Sequence, residues 1–216
     1  MNGRILLSLM LLVLLASCSL RQGPPEMAVP GRGDAPPRHA PAFFPVGKWQ
    51  FVHSISFQLA QGGAGTAVGV LVLDKDEIRC VLTTVEGLVL FEARWLEGQP
   101  IAVSRAIAPF DNQGFAAGLM ADVHTIFRRP EGREDWGRLP DGAAVFRYAA
   151  AGQVTDVLPQ EDGCWSMQTY GDRDRTIRAR SCTAVDSTVI PKDIDLVAGG
   201  PAGYSLTMHL LSAEKL

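Results

Sequence analysis

The residues best suited to chemistry in this chain are its cysteines and histidines, because their side chains supply nucleophiles, bases and metal ligands. The 216-residue sequence contains four of each: Cys18, Cys80, Cys164, Cys182, His39, His53, His124 and His209. No C-x-x-C or Cys/His pair has the spacing of a metal site. G-x-S-x-G, H-E-x-x-H and a glycine-rich loop between a strand and a helix are also missing from the sequence. The sequence therefore predicts no enzyme, no metal site and no cofactor.

The histidines are interpreted as structural residues. His53 shares the apolar parity of a predicted strand, which favours a core histidine bonded to a neighbour over a ligand. His124 borders the apolar stripe of a predicted helix, and His209 lies on the polar side of the last predicted strand. His39 has no ligand partners near it in the sequence.

Cys18 has the sequence context of a lipid attachment site. Arg4 precedes an apolar run, residues 5–17, that is too short for the roughly 20 residues of a membrane-spanning helix. A positive residue, a short apolar run and small residues before a cut site are typical of a secretory signal peptide. The sequence Leu-Ala-Ser-Cys at 15–18 resembles the lipobox of bacterial lipoproteins, in which the cysteine is diacylated and becomes the new N-terminus. We therefore expect a signal peptide at 1–17 and a lipid anchor at Cys18; the alternative is an ordinary signal peptide with a chance cysteine.

Residues 18–45 are predicted to be a lipidated tether. By the sorting pattern of enterobacterial lipoproteins, an aspartate after the cysteine favours the inner membrane, so Ser19 favours the outer membrane, with the domain facing the periplasm. Residues 19–45 are rich in proline and glycine, which excludes a helix or a sheet interior. Extended as polyproline II, this segment would reach about 80 Å.

Cys164 and Cys182 flank a Gly-Asp-Arg-Asp-Arg turn in a predicted hairpin. If the hairpin is centred on Arg173, the numbers of paired residues sum to 346 and the two cysteines lie opposite each other. Paired Cα atoms are then about 4.5 Å apart, which a disulfide can join. Because export delivers the chain to an oxidising compartment, we predict a Cys164–Cys182 disulfide and leave Cys80 as a buried small hydrophobe. The alternative is two free thiols in a hairpin slipped by one residue.

The charge pattern excludes a nucleic-acid-binding protein. The formal net charge is −3, and no basic stripe is present. A local group of arginines is interleaved with aspartates and is interpreted as a solvated hairpin face; it comprises Arg173, Arg175, Arg178, Arg180, Asp172 and Asp174.

Most of the remaining chain has the pattern of strands. Residues 48–60 alternate strictly between apolar and polar side chains, which is typical of a long strand with one buried face. Ten further short runs follow with gaps that are mostly too short for parallel crossovers. We interpret residues 128–142 as a loop.

A single segment of the body has a helical pattern. In residues 115–127 the apolar side chains recur at spacings of three and four, which predicts an amphipathic helix with Asp122 and Thr125 outward. The prediction for 46–216 is thus one α+β domain, in which a large curled antiparallel sheet of about eleven strands, a half-barrel, carries a helical lid.

Three stretches carry a family resemblance: IRCVLTTVEGLVLFEARW, GFAAGLMADVHTIF and IPKDIDLVAGGPAGYSLTMHLLSA. They resemble the outer-membrane lipoproteins of the LolB type, their LolA-like relatives and the uncharacterised LolB-like lipoproteins of proteobacteria. The resemblance implies a half-barrel that carries acyl chains of lipoproteins across the periplasm, with a periplasmic carrier as a partner. LolB-type proteins have an exposed leucine in the loop that aligns with residues 84–87. Here that position is Glu86, whose charge resists membrane insertion; Val85 is the nearest apolar residue.

Two functional hypotheses follow. In the first, the half-barrel binds an acyl chain, lipid or lipoprotein between sheet and helix. Its concave wall would be formed by Trp49, Phe51, Ile55, Phe57, Val89, Phe91 and Trp95, and its lid by Leu119, Met120 and Val123. In the second, these residues are a filled core, and the chain is a structural or assembly lipoprotein that docks an envelope complex. The sequence does not predict an oligomeric state.

Overall fold

The computed structural model describes residues 23–30, 43–112, 114–150, 152–171, 174–200 and 203–216. The predicted signal peptide, Cys18, Asp172 and Arg173 lie outside these residues. The described elements, in chain order, are β1 (Trp49–Leu59), β2 (Ala64–Leu73), β3 (Glu77–Thr83), β4 (Val89–Leu96), β5 (Ala102–Ala106), α1 (Phe115–Phe127), β6 (Arg133–Arg138), β7 (Ala144–Ala150), β8 (Gln153–Pro159), β9 (Trp165–Tyr170), β10 (Arg175–Val185), β11 (Thr188–Ala198) and β12 (Tyr204–Lys215). None of the helices within the described ranges is long and apolar enough to span a membrane.

The twelve strands form one antiparallel sheet that does not close. Their order is β5-β4-β3-β2-β1-β12-β11-β10-β9-β8-β7-β6, so β1 and β12, the first and last of the described strands, pair near the middle of the sheet. Strands β5 and β6 are the two edges, and the chain passes from one edge to the other through α1. This connection places the helix across one face of the sheet.

Strand β1 and helix α1 lie where their sequence patterns predict them. Trp49 and Phe51 are buried at alternate positions of β1, and burial decreases toward Leu59, which is 46% exposed. Helix α1 packs against both halves of the sheet: Phe127 lies 5.2 Å from Phe51 between ring centroids, and Asp122 is bonded to the β10 side chain Arg175.

Strand β6 corrects the prediction of about eleven strands, because it lies within residues 128–142, where the sequence predicts a loop. It pairs with β7, with Trp136 opposite Phe146. The strand was missed because four of its six residues are charged, which masks the alternation of apolar residues. Charged side chains are common on edge strands because they discourage pairing with other chains.

The predicted disulfide between Cys164 and Cys182 is present, with the two Cα atoms 5.3 Å apart. The predicted register was wrong by two residues, because Ser166 lies opposite Arg178 and not Arg180. A shift of two preserves the face on which each side chain lies. The ladder between β9 and β10 ends at the Ser166–Arg178 pair. Ser181, immediately before Cys182, has a positive φ of 56°.

The folded core includes residues that the sequence assigned to the tether. Phe43 is 6% exposed and lies 6.4 Å from Trp165, and Phe44 lies 6.0 Å from the same ring. The body therefore includes Phe43, three residues before the predicted boundary at 46.

Candidate functional site

An apolar cavity of about 500 Å³ lies between helix α1 and the sheet. Its sheet side is formed by β1, β2, β3 and β12, and its other side by the helix together with Pro109, Phe110, Asn112 and Gly114. A volume of this size lies within the range of about 300–1,000 Å³ that is common for small-molecule sites. Most side chains that line it are apolar; the polar ones are His53, Asn112, Asp122 and Tyr204.

Aromatic rings hold the segment before the helix against the sheet. Phe110 packs edge-on against Phe57 at 6.4 Å and lies 5.0 Å from Phe115. Phe115 in turn packs edge-on against Phe91 of β4 at 5.1 Å. Offset and edge-to-face ring pairs of this kind each contribute about 0.5–1.5 kcal/mol beyond the area that they bury. These contacts close one wall of the cavity.

The residues predicted to line a trough divide into four groups. Ile55, Phe57, Leu119 and Val123 line the apolar cavity. Trp49, Phe51 and Phe91 are each 1% exposed and belong to the packed core. Trp95 and Met120 border a second cavity, and Val89 is half-buried outside both. The predicted wall is therefore partly cavity and partly filled core.

His53 is the only histidine at the apolar cavity among its described lining residues. It is 2% exposed, and its ring lies 6.1 Å from that of Phe51 and 5.8 Å from that of Phe127. Burial, and to a smaller extent the charge of the nearby His209, lower the pKa of His53 to about 4. His53 is therefore neutral at physiological pH and adds no charge to the cavity.

A buried polar cluster fixes the middle of the helix and corrects the prediction that Asp122 points outward. Asp122 accepts a hydrogen bond from Arg175 Nε at 2.6 Å and another from the Tyr204 hydroxyl. The Asp122 and Arg175 side chains are 7% and 9% exposed. Burial, and next the charge of Asp122, raises the pKa of Tyr204 well above its usual range, so the hydroxyl remains a donor.

The same cluster corrects the interpretation of the arginine group as a wholly solvated face. Arg178 and Arg180 are exposed as predicted, but Arg175 is buried and paired with the helix. The spacing carried a signal for this, because Asp122 lies three residues after Leu119 and four before Ile126, on the apolar stripe.

A second and more polar cavity of about 700 Å³ lies on the other side of α1. Arg175 borders this cavity, whereas Asp122 and Tyr204 border the apolar one, so the ion pair lies between the two spaces. The other polar residues that line the second cavity are Gln99, His124, Thr125, Arg128, Glu131, Tyr148, Gln153, Thr155 and Thr169.

Cys80 is a free thiol that lines the apolar cavity. It is buried, in agreement with its interpretation as a small hydrophobic residue. Burial raises the pKa of Cys80 to about 12. Because the thiolate is the nucleophile, this side chain is chemically inert at neutral pH. Across the described ranges, no group of three or more His, Cys, Asp or Glu side chains could hold a metal ion.

The β3–β4 turn presents apolar side chains to solvent on both sides of Glu86. Val85 is 77% exposed and Leu88 is 52% exposed. The turn is braced by Thr84, whose amide donates to Leu88 O at 2.9 Å and whose hydroxyl accepts from the Leu88 amide at 3.2 Å.

No family model and no curated protein matches this chain in sequence. Solved structures match its fold. A LolA superfamily protein from Nitrosomonas europaea superposes with a TM-score of 0.50 at 9% identity, covering 81% of this chain and 89% of that one. A DUF1329 family protein from Desulfovibrio piger gives a TM-score of 0.42 at 10% identity, covering 78% and 85%. The first match shows that the chain has a LolA-like fold.

Proposed function

We propose that this protein is an outer-membrane lipoprotein, anchored through Cys18, whose half-barrel binds the acyl chain of a lipid or lipoprotein on the periplasmic side. It acts as a carrier or acceptor and not as an enzyme. The observation that carries the proposal is the apolar cavity between α1 and the sheet, within a LolA-like fold.

The lining of the cavity favours an acyl chain whose polar end stays outside. No lysine or arginine is among the described residues that border it. The one carboxylate, Asp122, is already paired with Arg175 and Tyr204. A free fatty acid would have to bury its carboxylate without a cation, which is costly. Acyl chains in ester or amide linkage, as in lipids and lipoproteins, carry no such charge.

The alternative, a structural or assembly lipoprotein with a filled core, is weakened by the same cavity. Only part of the predicted wall, namely Trp49, Phe51 and Phe91, is packed as a core. The proposed partners are acylated cargo and the periplasmic carrier that delivers it, as the family resemblance implies.

A charge placed in the cavity tests the proposal. Leu119 lies on the helix and lines the cavity, so Leu119→Arg should abolish saturable uptake of a fluorescent acyl probe by the purified domain. The matched control is Leu211→Arg, because Leu211 is 56% exposed on β12. This control should bind the probe like the wild-type protein.

Circular dichroism and urea unfolding of both variants establish that the fold is retained. If the wild-type protein shows no saturable uptake, or if folded Leu119→Arg binds the probe normally, the carrier proposal is wrong. Native mass spectrometry of the unlipidated protein offers a second measurement, in which co-purified lipid supports the carrier and a clean mass supports the assembly alternative.

A further inference from the structure

Part of the predicted tether, residues 23–30, lies against the folded body at the β6 edge of the sheet. Ala28 and Arg138 form an antiparallel bridge, in which each amide donates to the other carbonyl at 2.9 and 3.1 Å. Among the described strands, β6 has β7 as its only partner. Residues 23–30, here called the strap, thus cover the Arg138 end of a hydrogen-bonding edge that would otherwise be open to other chains.

A polar side-chain site holds the strap on the outer face of the sheet. Arg147 donates to both carboxylate oxygens of Asp156 at 2.7 Å and to the carbonyl of Pro25 at 2.9 Å. The Arg147 and Asp156 side chains are 15% and 1% exposed. Their strand neighbours Phe146 and Val157 belong to the core, so the ion pair lies on the opposite face.

Gly137 makes room for the strap. A Cβ atom at this position would lie 2.5 Å from the carbonyl oxygen of Ala28 and 2.6 Å from the Cγ atom of Met27. The nearest atoms that it would meet all belong to the strap, so even alanine here conflicts with the docked segment and not with the sheet.

We propose that the strap docks on β6 and shortens the free tether between the membrane and the domain. This rests on the proposed lipidation of Cys18. With Pro25 held by Arg147, residues 19–24 alone link Cys18 to this contact, and six residues span at most about 20 Å when extended, against about 80 Å for the whole tether. The docked strap therefore holds the β6 edge close to the bilayer that carries Cys18.

Hydrogen exchange tests the docking without a membrane. In the mature chain with Cys18→Ser, the Ala28 amide should exchange at least tenfold more slowly than in an unstructured chain, as read by NMR. Gly137→Ala should remove this protection. Gly23→Ala is the matched control, because a Cβ at Gly23 meets nothing within 4 Å, and it should keep the protection. Amides of the β9–β10 ladder report whether each variant is folded. An Ala28 amide that exchanges freely in the wild-type chain would overturn the proposal.

Energy transfer in vesicles tests the shortened tether. The lipidated protein, with a donor dye on Glu161→Cys, is reconstituted into phosphatidylethanolamine–phosphatidylglycerol vesicles that contain an acceptor lipid. Transfer should decrease in Gly137→Ala and stay unchanged in Gly23→Ala. Equal transfer in the wild-type protein and Gly137→Ala would show that the strap does not set the distance. The mass of the N-terminal peptide is measured first, so that a protein without lipid on Cys18 is distinguished from a lipidated protein whose strap does not dock. Uptake of the acyl probe tests the cavity separately.

Discussion

At the scale of single residues, the contact between Asp122 and Arg175 connects the helix to the sheet. Both side chains are less than 10% exposed, and breaking a buried ion pair on one side leaves the other charge unpaired. Such changes cost about 3–5 kcal/mol. Asp122→Ala should therefore lower the free energy of unfolding by about that amount in urea denaturation.

An exposed ion pair provides the control for this prediction. Asp135 and Arg133 also form a pair, at 2.6 Å, but their side chains are 42% and 81% exposed. Exposed pairs contribute about 0–1 kcal/mol, so Asp135→Ala should have a small effect. Equal losses in the two variants would contradict a special role for the buried pair.

His53 makes stability depend on pH. Its pKa is about 4 in the folded protein against 6.5 for the unperturbed side chain. The unfolded chain therefore binds a proton first as the pH falls, so stability is complete above pH 6.5 and decreases as the pH falls toward 4. A difference of this size corresponds to about 3 kcal/mol.

His53→Gln removes this titration. Between pH 7 and pH 4, the unfolding free energy of His53→Gln should decrease by about 3 kcal/mol less than that of the wild-type protein. The control His209→Gln should retain most of the pH dependence, because burial is the larger cause of the lowered pKa. A wild-type pH profile in His53→Gln would show that another group is responsible.

The sequence located the cavity residues Ile55, Phe57, Leu119 and Val123 through their parity and helical spacing. It did not separate them from Trp49 and Phe51, which share the same apolar parity but are packed. Periodicity shows which face is buried, whereas a void depends on how facing side chains fill the space between elements. For the same reason the partner of Asp122 could not be predicted, since Arg175 lies 53 residues away.

At the scale of elements, the β3–β4 turn is the place where a membrane contact can be tested. Val85 and Leu88 are exposed there, and the carboxylate of Glu86 lies between them in sequence. Moving a charge into an apolar environment is costly, so Glu86 should oppose insertion. Glu86→Leu should increase binding of the unlipidated protein to vesicles several-fold in a flotation assay.

The matched control is Glu161→Leu, which makes the same change in the exposed β8–β9 turn. It should leave vesicle binding unchanged. If both variants bind vesicles more strongly, the effect is one of general surface hydrophobicity, and the β3–β4 turn has no special role in contact with the bilayer.

The elements differ in how well the sequence predicts them. Helix α1 and strand β1 were predicted within one residue at each end, because both have long amphipathic patterns. Strand β6 was missed because its charged side chains hide the alternation. The register of β9 and β10 was wrong by two residues, because side-chain parity is the same for shifts of two and only the turn fixes the choice.

At the scale of the whole molecule, the open sheet, the helix across it and the strap form one arrangement. The chain leaves the sheet at β5, crosses as α1 and returns at β6, and the strap then lies on that same edge. Proline and glycine content predicts a tether without helix or sheet interior, and the residues of it that the structure describes, 23–30 and 43–45, lie in neither. It did not predict that residues 23–30 dock in an extended form, because that contact depends on Gly137 and Arg147, which are distant in sequence.

The proposed attachment to the membrane depends on a single residue. Each buried methylene contributes about 0.8 kcal/mol, and one acyl chain binds only marginally, whereas several bind stably. Cys18→Ala should therefore remove lipid and anchoring together and leave an uncleaved precursor. The measurement is incorporation of labelled palmitate, combined with the mass of the N-terminal peptide.

Cys80→Ala is the control, because Cys80 is buried, and this variant should incorporate palmitate normally. Normal incorporation in Cys18→Ala would place the lipid elsewhere and remove the basis for a tether that begins at this residue.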